Sequence, residues 1–114
     1  MMLLDVHGQM EKIAFTIILH AGNARSLAIE AIKLAKTNQL AEAEDKIREA
    51  EAEFIKAHNQ QTILLQQEAE AGYNQLPLVL IHAQDHLMMA MTVKDLAVEF
   101  IDMYQRLHHL EGEK

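Results

Sequence analysis

The chain has 114 residues, half of them apolar, with seven methionines but no cysteine or tryptophan. That length fits one domain, and the lack of cysteine excludes disulfides and thiolate metal sites. Ten basic against seventeen acidic residues give a formal charge of −7, which provides no basic stripe for nucleic acid.

Four glycines and one proline are too little punctuation for an all-β chain, and the dominant alanine, leucine, glutamate and glutamine favour helix. The uncharged, mostly apolar segment from Tyr73 to Gln84 is too short and too polar to span a bilayer. The opening residues lack the basic and apolar regions of a secretory signal. The composition predicts an all-α cytoplasmic domain with no membrane insertion.

Breaks at Thr37-Asn38-Gln39 and from Gly72 to Pro77 divide the chain into three helical stretches. The first runs from about Gln9 to Lys36, with an apolar stripe from Met10 through Ile17, Ala21 and Ala28 to Ala35 at helical spacing. Gly22 inside it is read as permitting close helix approach or a bend, or, the favoured reading, as a tolerated packing glycine. The second stretch follows Asn38, read as its N-cap, and its apolar seam runs Leu40, Ala43, Ile47, Ala50, Phe54, Ala57 and Leu64. Gln61 interrupts that seam, and the charged positions from Glu44 to Glu53 read as a solvated face. Pro77 opens the third stretch, which extends to about His108. Residues 1–8 are expected as an N-terminal extension, 9–108 as the helical domain and 109–114 as a tail. The fold expected is a three-helix antiparallel up-down-up bundle. Three such helices bury little surface alone, so association is expected.

The chemistry concentrates on the third helix. Advancing about 100° per residue places His82 among Leu78, Met89, Val93, Leu96 and Phe100, with Gln84 on the opposite, polar side. His86 lies one turn on and Asp85 is offset the other way, so two imidazoles and a carboxylate share an apolar face. Burying them is costly unless they are paired or functional. A core histidine bonded to Gln61 or His58 is one reading. A catalytic carrier, with His82 as a nucleophile held in one tautomer and receiving a transferable group, is a second. A carboxylate–histidine metal site of His82, Asp85 and His86 is a third, although the Glu-x-x-His pairs of di-metal bundles are missing. A plain coiled-coil adaptor explains the spacing but not the triad. Ile81, Met88, Leu80, Met91 and Val98 add apolar surface, expected to serve as an oligomer interface near Asp85.

The run Ile81-His82-Ala83-Gln84-Asp85-His86-Leu87-Met88 resembles the signature of the lactose/cellobiose-type enzyme IIA of the bacterial sugar phosphotransferase system. Ala21-Gly22-Asn23-Ala24-Arg25-Ser26 and Ala57-His58-Asn59-Gln60-Gln61-Thr62 match the same pattern in order and spacing. The resemblance spans about Glu11 to Leu107; Asn23 departs from it where many relatives carry an acid. It implies a homotrimer packed as a nine-helix bundle. It implies that His82 accepts a phosphoryl group on Nε2 from the histidine-containing phosphocarrier protein and passes it to a cysteine of enzyme IIB, as one component of a multi-protein system and not a stand-alone catalyst. His86 is expected to support His82. Asp85 from three subunits is expected to meet at the trimer axis around a divalent cation, magnesium by the resemblance. The alternative is a helical metal-binding or adaptor protein without phosphoryl transfer.

Overall fold

The computed structural model describes residues 2–71 and 77–112. They form three helices, α1 (Met2–Lys36), α2 (Leu40–Ala71) and α3 (Leu78–Gly112), with no strand among the described residues. The expected three-helix organisation is present. Of the predicted second break, from Gly72 to Pro77, residues 72–76 lie outside the described residues, and Pro77 directly precedes α3. Helix α1 begins earlier than the apolar stripe suggests, because the Met-Leu-rich start also favours helix. Helix α3 likewise runs past His108 to Gly112.

The core is built largely from alanine at seven-residue spacing. Ala14, Ala21, Ala28 and Ala35 repeat along α1, Ala43, Ala50 and Ala57 along α2, and Ala83, Ala90 and Ala97 along α3. None of these is more than 1% exposed. A second series on α1, Met10, Ile17, Ala24 and Ala31, is equally buried. Seven-residue repeats keep a seam facing its partner along a long helix, and small side chains let axes approach. Helix α1, with two such series, packs along both other helices, whereas α2 and α3 meet each other only sparsely. The bundle is slender, 70 × 19 × 17 Å. Larger side chains fill one end around Met10, Ile17, Leu64, Leu80 and Leu87. Ile47 and Ile101 serve the other end.

The α1–α2 turn differs from expectation. Asn38 is not the N-cap of α2 but the left-handed residue that ends α1, with φ 64°. Its N–H donates to Ala35 O at 3.0 Å, and Gln39 N–H donates to Leu34 O at 2.9 Å, the Schellman arrangement. Gln39 then opens α2, its carbonyl accepting from Ala43 N–H at 3.0 Å. Asparagine suits both positions, so local sequence alone does not separate them.

Polar links tie the helices at a few points. His20 Nδ1 of α1 and Glu53 Oε2 of α2 lie 2.5 Å apart. Lys46 sits 3.5 Å from both Glu30 and Glu49, and these carboxylates, Glu49 foremost, hold its pKa above the ordinary lysine value. His108 of α3 donates from Nε2 to Ala35 O at 2.9 Å and stacks on Tyr104. It thereby adds a second donor to a last-turn carbonyl of α1 that Asn38 N–H also reaches.

The alanine seam makes a specific demand. Ala28→Leu, at a position with no exposed surface, should destabilise the chain by about 1–3 kcal/mol through overpacking. Urea denaturation monitored by circular dichroism measures this.

Candidate functional site

Helix α3 carries two apolar arcs, and the chain itself covers one. The residues packed inside the bundle are Leu80, Ala83, Leu87, Ala90, Ala97 and Ile101. Their centre lies roughly 100° around the helix from His82. The arc expected to be buried with His82 is instead open: Leu78, Met89, Leu96, Phe100 and Leu107 are all large exposed hydrophobics. His82 itself is exposed and is not a core histidine. A helical wheel locates both arcs but does not say which one folds inward. Leu80, expected on the outer surface, is buried, while Ile81, Met88, Met91 and Val98 are exposed as expected.

His82 and His86 meet. Their Nε2 atoms are 2.9 Å apart, and the rings stand edge-on with centroids 4.4 Å apart and planes at 89°. One Nε2–H donates to the other ring's Nε2 lone pair. The contact follows from helix geometry, since residues four apart are neighbours on one face. Neither Gln61 nor His58 reaches His82. Gln61 Nε2 instead donates to Gln84 Oε1 at 2.7 Å, one of the few links between α2 and α3. Gln84 therefore faces α2 and not the solvated side of α3. The signal for it was its place inside the histidine run, but its partner is set by tertiary packing alone.

Asp85 is exposed and has no ion pair or hydrogen bond among the described residues. It projects nearly opposite the residues that pack on α1, roughly 160° from their centre. Ile81, Met88 and Met89 beside it are all exposed. Among the described residues no cluster of three or more histidine, cysteine, aspartate or glutamate side chains gathers to hold a metal within one chain. A single unpaired carboxylate is a hard oxygen donor of the kind magnesium takes, provided other donors join it.

Two grooves flank this region. Between α1 and α3 runs one of about 470 Å³, lined by Ile18, Gly22, Arg25, Ser26, Ile29, Lys33, His86 and Met89 among others. The first-helix motif thus shares a groove with the histidine motif. A Cβ on Gly22 would meet nothing within 4 Å, so no close helix approach requires this glycine. The second groove, about 420 Å³, lies between α2 and α3 and contains Phe54, Ile55, His58, Leu87, Met91 and Lys94. His58 therefore belongs to a different face from His82.

Comparison with known proteins settles the class. The family model described as "PTS system, Lactose/Cellobiose specific IIA subunit" matches residues 12–105. The chain belongs to this family. It is 49% identical over 104 residues to the lichenan-specific phosphotransferase enzyme IIA component of Bacillus subtilis (strain 168), covering 91% of this chain and 94% of that one. It is similar in structure to the cellobiose-specific enzyme IIA of Bacillus anthracis, with a TM-score of 0.84, 48% identity and coverage of 88% and 92%. A third similarity is to a solution structure of the IIA(Chitobiose)–HPr complex of the Escherichia coli phosphotransferase system. There the TM-score is 0.78 at 35% identity, over 87% of this chain and 96% of that one. As an enzyme IIA component, the chain is a phosphoryl-transfer part of a sugar phosphotransferase system. No helix among the described residues is long and apolar enough to cross a membrane.

The inter-ring hydrogen bond has a direct readout. In His86→Ala, the Nε2/Nδ1 tautomer balance of His82 should shift in ¹⁵N spectra. An unchanged balance would mean that His86 does not hold the ring.

Proposed function

We propose that His82 Nε2 is the phosphoryl acceptor of this enzyme IIA, loaded by the histidine-containing phosphocarrier protein and discharged to a cysteine of enzyme IIB in the cytoplasm. The observation that carries this reading is the His82–His86 pair, with Nε2 atoms 2.9 Å apart on an exposed apolar face. When His86 donates from Nε2, His82 carries its proton on Nδ1 and accepts at its Nε2 lone pair, the tautomer a nucleophile needs; that hydrogen bond opens as phosphorus approaches. The lone pair attacks phosphorus, and the bond from phosphorus to the donor histidine breaks, its electron pair returning to the donor ring. After transfer, His86 Nε2–H is placed to donate to a phosphoryl oxygen. The cysteine thiolate of enzyme IIB then attacks phosphorus and His82 recovers its lone pair. Exchange between two histidines needs little driving force, so the protein's work is positioning and charge neutralisation.

The surroundings support docking in turn by two proteins. Leu78 and Met89, one and two turns from His82 on the same side of α3, give it an apolar surround, which excludes water from a hydrolysable phosphohistidine once a partner covers it. Methionine adapts to different partner surfaces. The net charge of −7 favours partners that bring positive charge. The HPr complex of the similar Escherichia coli protein supports HPr as a partner of this chain.

The exposed arc of α3 also supports assembly as a homotrimer, with the α3 helices innermost. Asp85, opposite the chain's own core, then meets its two copies. Three carboxylates at one axis repel unless neutralised, and their oxygens would hold a divalent cation such as Mg²⁺, which supplies that neutralisation. Sugar specificity resides elsewhere in the system, in lactose-, cellobiose- or chitobiose-type uptake.

Incubation with phosphoenolpyruvate and the general phosphotransferase proteins should place one acid-labile phosphate on the chain. His82→Ala should lose it while remaining assembled; retained phosphorylation of that variant would refute the assignment. Asp85→Leu should stay trimeric, bind no axial metal and gain stability by removal of like charges. Stoichiometric metal in that variant, by elemental analysis, would exclude the axial role.

A further inference from the structure

The two imidazoles of α3 are arranged as a chelate as well as a nucleophile and its support. Their Nε2 atoms lie 2.9 Å apart, edge-on, with His82 exposed and His86 partly so. Both side chains stand on one uninterrupted helix, so their spacing is fixed by backbone geometry and not by a mobile loop. A Zn–N bond is about 2.0–2.1 Å, so tetrahedral zinc holding two imidazoles keeps the nitrogens about 3.3 Å apart. A few tenths of an ångström of side-chain rotation opens the pair to that distance.

We infer that His82 and His86 chelate a divalent transition-metal ion of the zinc class through both Nε2 atoms, and that the bound ion blocks phosphoryl acceptance. Imidazole nitrogen suits zinc, copper and nickel, whereas magnesium takes oxygen. The site is therefore chemically separate from any carboxylate site at Asp85. No third histidine, cysteine or acidic residue completes a cluster here among the described residues. Water fills the remaining positions, and the ion exchanges freely instead of serving as a structural part. The proton count closes without release: the ring that donates in the inter-ring hydrogen bond moves its proton from Nε2 to Nδ1 through solvent. Both rings then bind as neutral imidazoles. One lone pair on His82 Nε2 cannot hold both zinc and phosphorus, so metal binding and phosphorylation exclude one another. This second half rests on the assignment of His82 as acceptor; the chelate does not.

The test has two arms, both on the full chain. Zinc chloride is titrated calorimetrically into the unphosphorylated protein and into His82→Ala, His86→Ala, His86→Gln and Asp85→Asn, with helicity checked by circular dichroism. Saturable binding should appear in the parent protein, vanish in every histidine variant that retains its helices, and persist in Asp85→Asn. Absence from the parent, or survival in the histidine variants, overturns the chelate. In the second arm, phosphoryl acceptance from the phosphorylated carrier protein is followed with saturating zinc and again after a chelator is added. Acceptance should be lost and then restored. Zinc bound at the pair with undiminished acceptance overturns the block and the acceptor assignment while leaving the chelate intact. Normal acceptance with no zinc bound overturns the chelate and leaves the acceptor assignment standing.

Discussion

Everything in this molecule depends on how closely α1 lies against its neighbours, and alanine sets that distance. The seven-residue series on α1, from Ala14 to Ala35, is matched by Ala43 to Ala57 on α2 and Ala83 to Ala97 on α3. Side chains this small let long helices run side by side, but each buries little apolar area and stabilises correspondingly little. The compensation is length: three helices of 32 to 35 residues repeat the same contact many times. Because one helix carries both seams, α2 and α3 are left splayed, with an apolar groove between them.

That economy has a consequence for function. A core of narrow side chains leaves the larger ones of α3 outside it. Leu96, Phe100 and Met103 are 53%, 44% and 63% exposed, a contiguous apolar face of a size that a solitary small protein seldom presents to water. His82 and Asp85 lie on the same side of α3 about 20 Å nearer its start, beside the exposed Leu78, Ile81 and Met89. The chemistry thus occupies surface that other chains must cover. Both the proposed self-assembly and the proposed exchange of partners draw on that same feature.

Much of this was legible in the residues. Three- and four-residue spacing gave the helices, and four-residue spacing already put His82 beside His86. The histidine run pointed to the family by itself. What the sequence hid has physical reasons. With two apolar arcs on α3, periodicity measures amphipathicity but not which arc faces inward, so His82 was expected inside the apolar face and lies outside the core. Asn38 is suited to start a helix and to end one, and only its positive φ decides between them. The Gln61–Gln84 bond joins residues 23 apart in the chain, and no local pattern encodes that contact. Gly22 had a plausible packing role, yet its position opens onto a groove.

The central claim is that one ring nitrogen of one histidine carries the transferred group. Heteronuclear ³¹P–¹⁵N correlation of the phosphorylated, ¹⁵N-labelled protein tests it most directly. A single phosphorus signal coupled to Nε2 of His82 is expected. Coupling to Nδ1 of that ring, or to any other histidine, would contradict it.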